Sequence, residues 1–217
     1  MPDRLAQART DTTYSEQFKE SGAATELPPG FVRFHQQNFS KYFGFAAEDF
    51  NGKLALETGA GPGKHAAVLH LLGARVIAVD LLESNITAIE RLARAHGFSQ
   101  LQAHQRDLMQ PLPAEWPAFD LISSHNWLQH AEDPGAVLRH LIAKLKPDGR
   151  LYVSVYGAGT FRLFISQLAR AVLQWDDREA LKTLIPFAFP EGFLEFKNPD
   201  HIYFENILDD FFVPSMW

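Results

Sequence analysis

The stretch that most constrains this chain is residues 54–80, LALETGAGPGKHAAVLHLLGARVIAVD. It opens on a short apolar run, Leu54-Ala55-Leu56, the pattern of a strand buried on both faces. The run stops at Glu57. Gly59, Gly61 and Gly63 follow at alternate positions. Glycine accepts backbone angles closed to other residues and lets a ligand approach the main chain. From Lys64 to Leu72 the pattern is helical, with Ala67, Leu69, Leu71 and Leu72 apolar, and Gly73 is a helix stop. Arg75 to Val79 is a second buried strand, and it ends on Asp80. A strand–helix–strand unit of this length makes a right-handed crossover in a parallel sheet. Ligands of such sheets sit at the carboxyl ends of the strands, where the glycines and Asp80 lie.

Three glycine-rich ligand loops compete for this turn. A phosphate-binding P-loop needs glycine, four residues, then Gly-Lys-Ser/Thr. Gly63-Lys64 fits, but Thr58 stands at the first glycine and His65 at the Ser/Thr. A dinucleotide fingerprint needs G-x-G-x-x-G, whereas the spacing here is G-x-G-x-G with Lys64 in the sixth place. The third pattern is E-x-G-x-G-x-G with an acid at the end of the next strand, and ETGAGPG with Asp80 meets it. A glycine turn that holds no ligand is the bland alternative, and an acid at the following strand end weighs against it.

The rest of the chain extends the same pattern. Phe31 to Phe43 carries aromatics at 31, 34, 39, 42 and 43, spacing that predicts an amphipathic helix with a core-facing stripe. A helix over Leu82–His96, started by Ser84 or Asn85, turns Ile86, Ile89 and Leu92 inward and ends at Gly97. Leu101–Gln105 is a third strand, leading to Asp107-Leu108. Phe119–Ser123 is a fourth, followed by His125-Asn126-Trp127-Leu128-Gln129-His130. Ala136–Leu145 reads as a helix closed by Lys146-Pro147-Asp148-Gly149-Arg150, and Leu151–Tyr156 as a fifth strand. Strands alternating with helices predict an α/β fold, a doubly wound Rossmann-like parallel sheet with helices on both faces. The expected organisation is an N-terminal arm and helical cap over 1–48, a cofactor-binding core over 49–157, and a helical segment over 158–217. Tyr14 and Phe18 are candidates for a lid, and Thr160–Phe196 is an aromatic, apolar helical stretch.

Composition removes several functions. The chain has 217 residues, a net charge of −6 and no cysteine. Without cysteine there is no disulfide, thiolate metal site, thiol nucleophile or thiolate-held iron–sulfur cluster. The nine histidines show no metal spacing such as H-E-x-x-H, so no metal is expected. No basic block offers itself to a nucleic acid backbone, which disfavours DNA and RNA partners. No apolar run of about 18 residues marks a membrane span, and the first residues lack the apolar core of a secretory signal, which predicts a cytoplasmic protein.

The motifs together resemble those of the class I S-adenosylmethionine-dependent methyltransferases, and more narrowly the broad ubiquinone-type small-molecule group. The resemblance covers about residues 50–157. Glu57, Gly59, Gly61 and Gly63 match the first motif and Asp80 the acid after the second strand. Asp107-Leu108 matches the segment after the third, and Phe119-Asp120-Leu121-Ile122 with His125–His130 the fourth-strand motif. Leu145-Lys146-Pro147-Asp148-Gly149 is similar to a helix-ending L-K-P-G-G, with Asp148 in place of a glycine. The resemblance implies S-adenosylmethionine as cofactor. It implies that the Gly59–Gly63 loop, including Ala60, approaches the amino-acid part, and that Glu57 accepts from the ammonium. Asp80, followed by Leu81, would accept both ribose hydroxyls, and Asp107 would accept from the adenine amino group with Leu108 on the ring. His125 and Asn126 would border the methyl group.

The implied reaction moves a methyl group to an O, N or C nucleophile of a small, partly apolar acceptor. If a general base is used, His125 or His130 is the candidate, since imidazole titrates near neutral pH. Two other functions share this sheet: an NAD(P)-dependent oxidoreductase, which Asp80 would also suit, and a non-catalytic cofactor-binding domain. Relatives end in an antiparallel pair of strands. No such pair is evident after Tyr156, so the sequence is expected to stop short of it.

Overall fold

The computed structural model describes residues 26–155. The expectations for Tyr14, Phe18, Thr160–Phe196 and the chain end lie outside these residues. Five strands form one parallel sheet: β1 (Leu54–Thr58), β2 (Arg75–Asp80), β3 (Leu101–Gln105), β4 (Phe119–His125) and β5 (Leu145–Ser154). Their order is β3-β2-β1-β4-β5. The winding reverses between β1 and β4, so the crevice of the fold opens between their carboxyl ends. The helices among the described residues are α1 (Pro29–Phe43), α2 (Lys64–Leu71), α3 (Glu83–His96) and α4 (Pro134–Ile142), with 3-10 turns at Ala47–Phe50 and Leu128–His130.

Side chains alternate across a strand, so neighbouring residues feed opposite cores. Ala55, Val76, Ala78 and Leu121 face a core with Phe39 and Phe43 of α1, Ala66, Val68 and Leu69 of α2, and Ile89 of α3. Leu54, Leu56, Val79 and Ile122 face the other, with Val137 and Leu141 of α4. Helices therefore cover both faces, and the doubly wound sheet is the one expected. Each large apolar side chain buried here contributes about 1.5–3 kcal/mol. Only part of the α1 stripe is core: Phe39 and Phe43 are buried, whereas Phe34 and Tyr42 are exposed.

Of the boundaries that differ from the sequence reading, three bear on the site and its supports. β1 does not stop before Glu57 but continues to Thr58, because β4 also runs on and pairs Glu57 with Ser123 and Thr58 with Ser124. α3 begins at Glu83, placing Ser84 and Asn85 inside its first turn, where the Asn85 amide is taken by Asp80. α4 ends at Ile142, and Leu145 opens β5 instead of closing the helix. Pro147 offers no N–H and pushes Lys146 towards extended backbone, so the helix cannot run through it. The strand takes up the surplus as a bulge: Phe119 pairs with Leu145, and Leu121 already with Arg150. Below the bulge Asp120 ties three strands, accepting from Leu54 N of β1 at 2.8 Å and from Lys146 Nζ of β5 at 2.9 Å.

Candidate functional site

The glycine turn links β1 to α2 at the crevice. Gly59, Gly61 and Gly63 all adopt left-handed backbone, with φ of 59°, 51° and 87°. At Gly63 a side chain would also strike Ile89, a Cβ there falling 2.7 Å from its Cγ1. The turn is pinned to the end of β2. Ala60 N donates to Val79 O at 3.0 Å and Gly61 N to Asp80 Oδ2 at 2.8 Å. Asp80 Oδ1 accepts from Leu82 N at 3.0 Å and from Asn85 Nδ2 at 2.9 Å. Burial pushes the Asp80 carboxyl up, and these hydrogen bonds pull it back. A carboxylate has about four lone-pair positions, and three are already in use. The carboxylate can still accept from ribose hydroxyls, the role the sequence reading gave it.

Glu57 lies deeper. It is 1% exposed, Oε2 meets no partner among the described residues, and burial raises its pKa to about 8. The register that sets Glu57 beside Ser123 also puts His125 and Tyr152 on the same face of the sheet. There the His125 ring stacks on His65 at 4.2 Å between centroids, 11° apart. His35 of α1 closes on His65 at 4.5 Å, and Tyr42 of α1 stacks on Tyr152 at 4.3 Å. Buried imidazoles resist charging. His125 falls to about 4 through burial and the neighbouring His35, and His65 is held well below its usual value by burial and by its neighbours His125, His35 and Lys64. Among the described residues His125 Nε2 and His35 Nδ1, both buried, find no hydrogen-bond partner.

The remaining predicted residues are more dispersed. Leu81 is exposed and its carbonyl accepts from Gln105 Nε2 at 3.0 Å. Asp107 is exposed and turns its carboxylate onto Met109 N at 2.8 Å, while Leu108 is buried in the second core. Asn126, just past β4, has left-handed backbone with φ 51°, a conformation asparagine tolerates. Its Oδ1 accepts from Ser154 Oγ at 2.6 Å. His130 lies on the 3-10 turn, its Nε2 3.2 Å from Gln129 Nε2, and burial lowers its pKa to about 4.

Trp127 was not singled out in the sequence, yet it sits on the glycine turn. Its Nε1–H donates to Thr58 Oγ1 at 2.9 Å, and Thr58 Oγ1 donates to Ser123 O at 2.9 Å. The indole fills the space over Gly59: a Cβ there would lie 2.2 Å from Trp127 Cγ. Nothing in a local pattern marks this residue, nor His35, because β4 and α1 bring them in from more than sixty and more than twenty positions away.

The arrangement fits the cofactor that the motifs imply. An ammonium would supply what the orphaned Glu57 oxygen lacks, and ribose hydroxyls would find an acceptor in Asp80. Among the described residues no group of histidines and acids is placed to hold a metal ion.

Comparison with known proteins agrees with the geometry. A family model for a methyltransferase domain matches residues 56–153. The chain is 38% identical over 107 residues to a ubiquinone biosynthesis O-methyltransferase of Xylella fastidiosa strain M23, a match covering 48% of this chain and 42% of that protein. The corresponding protein of Xanthomonas oryzae pv. oryzae strain PXO99A is 34% identical over 109 residues, covering 49% and 44%. The chain thus spans less than half the length of these curated relatives. Among solved structures, DhpI in complex with SAM and HEP shares the fold at a TM-score of 0.56 and 20% identity, covering 77% of this chain and 73% of DhpI. The YcgJ protein of Bacillus subtilis does so at 0.53 and 22%, covering 64% and 58%. Motif, sheet order and family match thus agree over residues 56–153, the part of this chain that is similar to a methyltransferase domain.

Proposed function

We propose that the protein transfers the methyl group of S-adenosylmethionine to a small, partly apolar acceptor. One observation carries this: two buried acids, Glu57 and Asp80, flank a left-handed glycine turn at the reversal point of the sheet. In this reading residues 49–157 are the cofactor-binding core. Glu57 receives the ammonium, Gly59 to Gly63 with Ala60 border the amino-acid part, and Asp80 holds the ribose. Asp107, exposed beside Leu81 and Leu108, receives the adenine amino group. Of O, N and C nucleophiles, oxygen has the support of the relatives' name, O-methyltransferase. The cysteine-free sequence fits a reducing, cytoplasmic setting.

When bound, the cofactor supplies a methyl group on a sulfonium, already activated for attack. The chain's task is then to hold the acceptor in line and to exclude water. His125 and His130 are neutral at pH 7, and bases this weak hold a proton poorly. We assign them, with Asn126, to hydrogen bonding and positioning in preference to general-base catalysis.

Titration calorimetry with S-adenosylhomocysteine and with NADH tests the reading. S-adenosylhomocysteine is expected to bind and NADH to fail. Asp80→Ala should abolish binding and, by stranding three donors, lower stability by about 3 kcal/mol in a denaturant titration. Binding of NADH in place of S-adenosylhomocysteine would establish the oxidoreductase alternative. Tight S-adenosylhomocysteine binding without turnover of phenols, amines or acids would point to a non-catalytic domain.

A further inference from the structure

We propose that Trp127 is a further residue of the methyl-donor site, the aromatic platform that recognises the donor's sulfonium charge. The inference rests on the reading of Glu57 and Asp80 given above. The donor's sulfur is joined on one side to the ribose and on the other to the chain carrying the ammonium. A ligand with its ribose at Asp80 and its ammonium at Glu57 must therefore carry its sulfur across the stretch between them. That stretch is Thr58-Gly59-Ala60-Gly61, with Gly61 itself hydrogen-bonded to Asp80. The Trp127 indole lies over Gly59.

A sulfonium has no N–H or O–H to donate, so an anion, a lone-pair donor or an aromatic face must recognise it. Asp80 is occupied by three hydrogen bonds, and Glu57 is assigned to the ammonium. The indole lies over the stretch that the sulfur must cross, and tryptophan is the best of the aromatic side chains for a cation. Its position is fixed from below: Nε1–H is tied to Thr58, whose hydroxyl is tied to Ser123. Trp127 packs with the second core and stays only partly buried, which leaves indole surface for a ligand. Gly59 gains a reason in this arrangement: its missing Cβ makes room for the indole, and the indole rather than the bare main chain meets the ligand there.

The test compares S-adenosylmethionine, whose sulfur is charged, with S-adenosylhomocysteine, whose sulfur is not, by titration calorimetry on the full chain. Trp127→Leu removes the aromatic face and Trp127→Phe keeps it. The ratio of the two affinities should shift against S-adenosylmethionine by about 3- to 30-fold in Trp127→Leu. It should stay within about threefold of wild type in Trp127→Phe. A purely structural role lowers both affinities together and leaves the ratio unmoved, which would overturn the proposal. If Trp127→Leu fails to fold, Trp127→Ile replaces it and is read by the same ratio: a shift against S-adenosylmethionine of about 3- to 30-fold sustains the proposal, and an unmoved ratio overturns it. Failure of wild type to bind either ligand would instead overturn the methyltransferase reading on which the proposal stands.

Discussion

If Glu57 receives the ammonium as proposed, ligand binding should be a proton-linked event. Its carboxyl is 1% exposed and pushed from 4.5 up to about 8. At pH 7 roughly one molecule in ten carries it ionised. A ligand whose ammonium needs the ionised form must expel the proton, which costs about 1.4 kcal/mol at pH 7. Affinity should therefore stand about tenfold below its limit at pH 7 and about a hundredfold below it at pH 6, flattening above pH 8. The neighbouring His125 and His65 lose their charge well below this range and add nothing to the slope. Calorimetry of S-adenosylhomocysteine in two buffers of different ionisation enthalpy counts the protons. About 0.9 should leave per ligand at pH 7, and none in Glu57→Gln. The free protein carries the same signature with a definite sign. Between 4.5 and about 8 the unfolded chain has lost the proton that the folded one keeps, so stability falls as pH rises. The slope is about 1.4 kcal/mol per pH unit, and Glu57→Gln should remove it. A proton count near zero at pH 7, with an affinity flat from pH 6 to 8, would refute the reasoning.

Two further outcomes follow from the same geometry. Gly59→Ala strains a φ of 59° and drives a methyl into Trp127, whereas Gly97→Ala meets only its φ of 68°, with open space around it. Denaturant titration should show losses of about 3 kcal/mol or more for the first and about 1 kcal/mol for the second. A pH profile of kcat should show no inflection between about 5.5 and 7.5, because His125 and His130 titrate near 4. An inflection there that disappears in His125→Gln would restore that histidine as general base.

The sheet was legible because its signals are local. Apolar runs, glycines and a strand-end acid at 54–80 each act within a few residues, and the structure reproduces them. The extent of β1 was not, because a carboxylate inside a strand reads as a boundary, and only pairing with β4 shows Glu57 to be buried in one. Leu145 read as the end of an apolar helix stripe. Its true partner, Phe119, lies 26 positions earlier, and no periodicity reports that pairing. His65 was noticed only as a mismatch to a phosphate loop, and its contacts with His125 and His35 depend on the packing of α1 and β4. Half the site was thus written in the turn, and the other half in the contacts that the turn's neighbours make.

The pairing of β1 with β4 works as a vernier between two scales. Odd positions, Glu57, Ser123 and His125, mark out the acid's side of the crevice, and even positions, Thr58 and Ser124, mark out the shelf beneath Trp127. The alignment is clamped at both ends, by Leu54 N on Asp120 and by Thr58 Oγ1 on Ser123 O. A single residue inserted in β4 would exchange the two scales, turning the acid's neighbours outward and lifting the tryptophan off its glycine. The alignment that packs this protein's two cores is therefore the same one that spaces the two acids and the indole along its crevice.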